Sequence, residues 1–118
     1  MSDSDPAATF AHIAREMGAR KLAFIMAREY LGLDSLGPQL KAAFGGVYIA
    51  NEGFDYAGAT AALKEGRADA VGFGKLALAN PDLVARFAQQ AKLNAWDAGS
   101  FYSPEAKVYT DYPALATA

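Results

Sequence analysis

Cysteine is absent from this chain of 118 residues, and histidine occurs once, at position 12. The lack of cysteine excludes disulfides, thiolate metal sites and a cysteine nucleophile, and one histidine cannot form a histidine metal cluster. No apolar run approaches the roughly 18 residues that a membrane span needs. The first residues also lack the basic and apolar regions of a signal peptide. We therefore expect no metal, no membrane partner and a cytoplasmic location.

An excess of charge of either sign is also missing. The chain has 11 basic and 13 acidic residues, which gives a formal net charge of −2. A chain without a basic excess is a poor candidate for a nucleic-acid partner held by charge. Apolar residues make up 53% and charged residues 20%, as is typical of one globular domain or part of one.

The most informative feature that is present is a pair of short apolar strands, each of which leads into a glycine turn. Val47–Ala50 leads into Asn51–Gly53, and Ala70–Phe73 leads into Gly74–Lys75, with a predicted helix between the two strands. Strand, helix and strand in this order predict a parallel βαβ unit, which places both turns at the same edge of the sheet. Glycine lets main-chain amides approach an anion, and lysine adds a positive charge. The sequence therefore predicts a phosphate site at this edge.

Helices and strands alternate along the rest of the chain. Asp5 and Pro6 can begin a helix, for which Gly18 is a natural stop. Lys21–Met26 predicts a first strand, and Pro38–Phe44 a short helix. The alternation indicates an α/β fold with a parallel sheet. Three strands leave both outer strands unpaired and one sheet face without cover, so we expect a segment of a larger structure.

A last helix is predicted after the Asn-Pro-Asp sequence at 80–82. Its spacing directs Leu83, Val84, Phe87 and Ala91 inward. Beyond residue 93 the periodic pattern ends and an aromatic tail begins.

The glycine motif at Gly72–Ala77 has other readings. It matches G-x-G-x-x-A after a strand, the pattern of a dinucleotide-binding turn. That fold also needs an acidic residue at the end of another strand some 20 residues later, and no strand precedes Asp97. A purely structural reading, with tight turns and a solvated Lys75, stays open. In eight-stranded α/β barrels, the loops after the last two strands commonly form the phosphate site.

Three further polar residues need an interpretation. His12 lies off the apolar face of its helix and is expected at the surface. Arg28 and Glu29 follow the first strand, at the end where barrel enzymes place their chemistry. They either contact a ligand or form a surface ion pair, and the sequence leaves both open.

Several longer strings resemble one family over nearly the whole chain. They are Asp3–Pro6, Tyr48–Gly53, Ala68–Lys75, Ala79–Leu83, Phe101–Tyr102 and Tyr109–Pro113. Together they resemble the C-terminal part of the old yellow enzyme family of flavin-dependent ene-reductases. The Ala-Asn-Pro-Asp-Leu and Tyr-Thr-Asp-Tyr-Pro strings are the most specific.

The resemblance implies the last three βα units of a (β/α)8 TIM barrel in residues 1–93 and an aromatic tail packed on it in residues 94–118. It implies FMN as cofactor, NADPH or NADH as reductant, and reduction of the activated C=C bonds of enones, enals and maleimides. It implies no catalytic residue in this chain and, as partner, an N-terminal segment of the same enzyme, present as a second chain or a nicked remainder. The residues that it assigns to FMN are Asn51, Glu52, Gly53, Phe73, Gly74 and Lys75, and it places Tyr102 at the substrate mouth.

Two departures from the family pattern bear on the site. Lys75 stands where the family usually has arginine, so it offers a point charge without the bidentate fork. The stretch from Glu29 to Pro38 is shorter than is common. Two alternatives stay open beside the enzyme: a stand-alone half-barrel that binds a phosphate ligand without catalysis, and a non-catalytic remnant.

Overall fold

The computed structural model describes residues 4–29, 35–101 and 112–115. The chain divides into two compact units, Met1–Gly72 and Phe73–Ala118. Among the residues that the structure describes, no helix combines the length and the apolar character needed to cross a bilayer.

The first unit is a three-stranded parallel sheet with helices. Its elements are α1 (Pro6–Ala19), β1 (Phe24–Arg28), α2 (Gly37–Phe44), β2 (Val47–Asn51), α3 (Tyr56–Lys64) and β3 (Ala70–Val71). The strand order is β1-β2-β3, and both pairs are parallel. The predicted α/β class and the parallel βαβ unit are confirmed.

Local sequence signals set the ends of these helices. The Asp5 side chain accepts a hydrogen bond from the Ala8 amide at 3.1 Å, and Pro6 is the first residue of α1. The Asp55 side chain accepts from the Gly58 amide at 2.7 Å and begins α3. Gly45 ends α2 in the left-handed conformation, with φ of 75°. Side-chain acceptors satisfy the first amides of a helix, and glycine adopts positive φ without a steric cost.

The expectation that Gly18 ends the first helix is wrong. Helix α1 continues through Gly18 to Ala19, and its C-cap is Arg20. A Cβ atom at position 18 would collide with the carbonyl oxygen of Phe44 in α2. Glycine is therefore needed at this position because the backbones of two helices approach each other closely.

The two faces of the sheet differ in cover. Tyr48 and Ala50 of β2 are fully buried on the face that carries the helices. On the opposite face, Phe24, Met26 and Val47 are 53%, 54% and 47% exposed. The β1–β2 register pairs Phe24 with Val47, and alternate residues of a strand share a face. These three side chains therefore form one exposed apolar surface, which we call the bare face.

The second unit contains α4 (Lys75–Ala79), α5 (Leu83–Gln89) and a 3-10 helix (Ala98–Ser100). The sequence did not predict α4. Leu83 is buried as expected, but Val84 is 83% exposed, so its inward assignment is wrong. Arg86 takes an interior position instead, with 4% exposure. A buried arginine requires partners for its charge and its N–H donors.

Candidate functional site

The candidate site begins at the carboxyl edge of the sheet in the first unit. Arg28 ends β1 opposite Asn51 at the end of β2. The next amide, that of Glu29, donates to the Asn51 carbonyl at 2.9 Å. On the other side of β2, the Gly72 amide donates to the Ala50 carbonyl at 2.8 Å. Strand pairing thus brings Arg28, Asn51 and Gly72 to one edge.

The turn after β2 has two successive residues in the left-handed region. Glu52 has φ of 84° and Gly53 has φ of 74°. The Glu52 amide donates to the Asn51 Oδ1 atom at 2.7 Å. Turns of this kind direct main-chain N–H groups at an oxygen acceptor, which is the requirement for an anion site. The main-chain amides of this turn therefore suit a phosphate group. One of them, the Glu52 amide, donates to Asn51 Oδ1 in this structure.

The Glu52 side chain introduces a negative charge into the same turn. Its Oε2 atom lies 2.7 Å from Nε of Arg28, with the two side chains 40% and 80% exposed. Of the two readings of Arg28 that the sequence left open, the structure shows the ion pair. The partner, 24 residues further along, could not be identified before the strand register was known.

Glu29 points to the helix-covered side of the sheet and forms a polar cluster. The Tyr48 hydroxyl donates to Glu29 Oε1, and the Ser35 hydroxyl donates to Oε2 at 3.2 Å. A Cβ atom on Gly37, at the start of α2, would collide with the same carboxylate. Glu29 therefore ties the end of β1 to β2 and to the start of α2. It is not the surface residue that one of the two predictions described.

Burial and the Glu29 hydrogen bond raise the pKa of Tyr48 above its ordinary value. Burial removes water from the phenolate, and a carboxylate acceptor favours the protonated hydroxyl. Tyr48 is consequently a fixed hydrogen-bond donor in the fold. This role was not predictable from the sequence, because Tyr48 stands inside an apolar strand.

In the second unit, Phe73, Gly74 and Lys75 begin directly after Gly72. Gly74 is the N-cap of α4, and both Gly74 and Lys75 are exposed. A Cβ atom on Gly74 would have open space around it. The rings of Phe73 and Phe87 form a T-shaped pair, with centroids 5.3 Å apart.

Two other predicted residues have simple outcomes. His12 is exposed, as expected for a surface residue. Tyr102 lies outside the described residues, so its place at a substrate mouth stays a prediction.

Curated proteins similar in sequence are reductases. The chain is 35% identical over 130 residues to the rice putative 12-oxophytodienoate reductase 12, covering 97% of this chain and 32% of that protein. It is 37% identical over 118 residues to a probable flavin mononucleotide-dependent alkene reductase of Leishmania infantum, covering 95% and 32%. No protein-family model matches the chain.

Solved structures with the same fold include an old yellow enzyme and a morphinone reductase. The old yellow enzyme of Trypanosoma cruzi matches with a TM-score of 0.91 and 30% identity, covering 98% of this chain and 32% of that one. Morphinone reductase in complex with tetrahydroNAD matches with a TM-score of 0.88 and 36% identity, again covering 98% and 32%. The chain thus spans about a third of the length of the relatives that it matches.

Proposed function

Since the chain corresponds in sequence and fold to the C-terminal third of the old yellow enzyme family, we propose that it forms the last three βα units of a (β/α)8 barrel. The completed barrel binds FMN and reduces activated alkenes with NADPH or NADH. The reduction of enones, enals and maleimides belongs to this proposal, as does a cytoplasmic location.

The bare face is the observation that carries the proposal. Phe24, Met26 and Val47 are about half exposed on a sheet whose other face is covered by helices. In a closed barrel, inward-facing side chains of this kind fill the interior in layers. In the described part of the chain, β1 and β3 each pair only with β2. An N-terminal segment that supplies the other strands would cover the face and pair both edges.

The phosphate group of FMN is assigned to the carboxyl edge of the sheet. In the first unit, we assign to it the main-chain amides of Asn51–Gly53. In the second unit, we assign Phe73, Gly74 and Lys75 to the same phosphate group from the family resemblance alone. Two left-handed residues in the turn of the first unit support its assignment, and Gly74 and Lys75 are exposed. A phosphate oxygen would take the place that Asn51 Oδ1 now holds on the Glu52 amide.

FMN, when bound, supplies the hydride chemistry. The residues of this chain bind and orient its phosphate end. The hydrogen bond between Tyr48 and Glu29 connects β2 to the end of β1 on the helix-covered face of the sheet. The groups that contact the substrate carbonyl and deliver the proton are assigned to the N-terminal segment. This chain therefore contains no catalytic residue, and Tyr102 lines the substrate mouth.

The test is an activity assay of the chain with and without the N-terminal segment. We expect NADPH-dependent reduction of cyclohexenone with added FMN only when both are present. Turnover by the chain alone would contradict the proposal. A folded homodimer of the chain that binds phosphate without turnover would instead support the half-barrel module, and a complemented complex that binds no flavin would support the structural remnant.

A further inference from the structure

We propose that Arg28 is a positioning residue for the phosphate-binding turn, because it neutralises Glu52 and holds that residue in its left-handed conformation. The inference rests on the proposed function, since it concerns the same turn. It assigns Arg28 a role through Glu52 and not through direct contact with the phosphate.

A carboxylate in a phosphate site needs compensation. Glu52 is the central residue of the turn that we assign to the phosphate group, and its charge has the same sign as the ligand. Like charges a few ångströms apart repel each other strongly unless a counter-charge is close. The Arg28 guanidinium supplies that counter-charge, at 2.7 Å between Nε and Oε2.

The sheet fixes the position of Arg28. The β1–β2 register places Arg28 directly opposite Asn51, one residue before Glu52. The Glu29 amide bonds to the Asn51 carbonyl at 2.9 Å and continues the pairing past Arg28. The guanidinium therefore reaches the turn from a neighbouring strand.

The conformation of Glu52 gives the ion pair a second effect. Its φ of 84° is one that a residue with a Cβ atom adopts at a steric cost, whereas Gly53 adopts 74° freely. A guanidinium bound to the side chain from β1 favours this conformation over extended ones. The amide of Glu52 then stays directed at an oxygen acceptor, as it is toward Asn51 Oδ1.

The Arg28–Glu52 ion pair is exposed, so its role in the turn can be tested without unfolding the chain. The Arg28 and Glu52 side chains are 80% and 40% exposed, and exposed ion pairs add little to stability. Loss of the pair is therefore expected to alter the turn and its ligand while the sheet stays folded. Arg67 offers a matched control, because its Nε lies 2.6 Å from Glu65 Oε2 in an ion pair outside the carboxyl-edge turn.

The experiment compares two flavins on the complex of this chain with its N-terminal segment. FMN carries the phosphate and riboflavin lacks it, so the ratio of their dissociation constants reports on the phosphate site alone. The variants are Arg28→Gln, Glu52→Gln, the double variant and the control Arg67→Gln. Flavin fluorescence measures binding, and circular dichroism checks that each complex is folded.

We expect Arg28→Gln to weaken FMN binding about tenfold and riboflavin binding less than about twofold, because the Glu52 carboxylate repels the phosphate more strongly when the Arg28 charge is removed. Glu52→Gln added to Arg28→Gln should restore most of the FMN affinity. Arg67→Gln should change the affinity for neither FMN nor riboflavin. Rescue by removal of the opposing charge is a result that a merely structural role of Arg28 does not produce.

Three results would overturn the inference, and they differ from one another. If Arg28→Gln leaves the FMN affinity unchanged, Arg28 has no part in the site. If the double variant binds FMN as weakly as Arg28→Gln, neutralisation of Glu52 is not the role of Arg28. If the parent complex binds FMN no more tightly than riboflavin, the proposed phosphate site is itself wrong, and the role of Arg28 is lost with it.

Discussion

The two compact units of the chain are stabilised by different interactions. The first unit has an apolar interior between a sheet and helices, with Tyr48 and Ala50 fully buried and the bare face exposed. The second unit buries the polar side chains of Asn80 and Arg86 beside the apolar side chains of Ala79 and Leu83. Apolar packing is additive and tolerant, whereas a buried charge depends on every partner. Single substitutions should therefore lower the free energy of unfolding by moderate amounts in the first unit and by larger amounts at the buried charge of the second.

Arg86 is the centre of the second unit. Its Nε donates to Asp82 Oδ1, its Nη1 to the Lys92 carbonyl and its Nη2 to the Pro113 carbonyl, each at 2.7 Å. Asp82 also accepts from the Leu115 amide at 2.6 Å through its other oxygen. One guanidinium thus connects α5 to the segment that follows it and to residues 112–115.

Arg86→Ala is expected to have the largest effect. It removes three hydrogen bonds and leaves Asp82 as a half-buried charge without its cation, which should lower the free energy of unfolding by about 3–5 kcal/mol. Urea denaturation of the complex, followed by circular dichroism, measures the change. Arg67→Ala, at an exposed ion pair, should cost less than about 1 kcal/mol. Equal losses in the two variants would contradict the contrast between the units.

Gly18→Val tests the packing of the first unit. The added side chain would collide with the Phe44 carbonyl and separate α1 from α2, for an expected loss of about 2 kcal/mol. Gly74→Ala serves as the stability control, because a Cβ atom there meets nothing within 4 Å. Thermal denaturation compares the two variants. An unchanged melting temperature for Gly18→Val would contradict the close approach of the α1 and α2 backbones at this position.

Tyr48→Phe removes one hydrogen bond and keeps the ring. Glu29 loses the Tyr48 hydroxyl but keeps that of Ser35, so the expected loss is about 1 kcal/mol. The same urea denaturation measures it. A loss as large as that of Arg86→Ala would mean that the first unit also depends on a single polar group.

The smallest effect is a dependence on pH. The Arg86 hydrogen bond, followed by that of the Leu115 amide, holds the pKa of Asp82 below its ordinary value. A carboxyl with a lowered folded-state pKa stabilises the fold above its unfolded pKa of about 3.9, and this stabilisation is lost as the pH falls through the folded-state pKa.

Asp82→Asn should lower the stability at neutral pH, because Arg86 loses its anion, and should remove that part of the acid sensitivity. The check is the urea midpoint of parent and variant, measured downward from about pH 6 through the unfolded-state pKa of about 3.9. Asp69, whose pKa is also lowered, titrates in both proteins and cancels in the difference. Identical pH profiles would show that Asp82 contributes nothing.

Local features of the fold were predictable from the sequence because their causes are local. Asp5 and Asp55 each cap the helix that follows by accepting a hydrogen bond from the amide three residues further on. Gly45 ends α2 because its own φ is left-handed. The parallel strands around α3 follow from the order of apolar runs. The positions of Gly18 and Arg86 were not predictable, because Gly18 contacts Phe44 and Arg86 bonds to Pro113, far along the chain.

The candidate site also has features that were predictable from the sequence and features that were not. Its glycines and Lys75 are visible as a pattern in the sequence, and their role toward a phosphate group stays a prediction. The Arg28–Glu52 ion pair and the part-buried Tyr48–Glu29 hydrogen bond depend on the register of β1 with β2. No periodicity in a single sequence specifies that register.

We propose that an N-terminal segment completes the sheet of this chain. Amide hydrogen exchange of β1, measured on the chain alone and on the chain with that segment, tests it most directly. We predict that the amides of Phe24–Arg28 exchange more slowly in the complex, as the edge gains a strand partner and the bare face is covered. Equal exchange in the two samples would contradict the account.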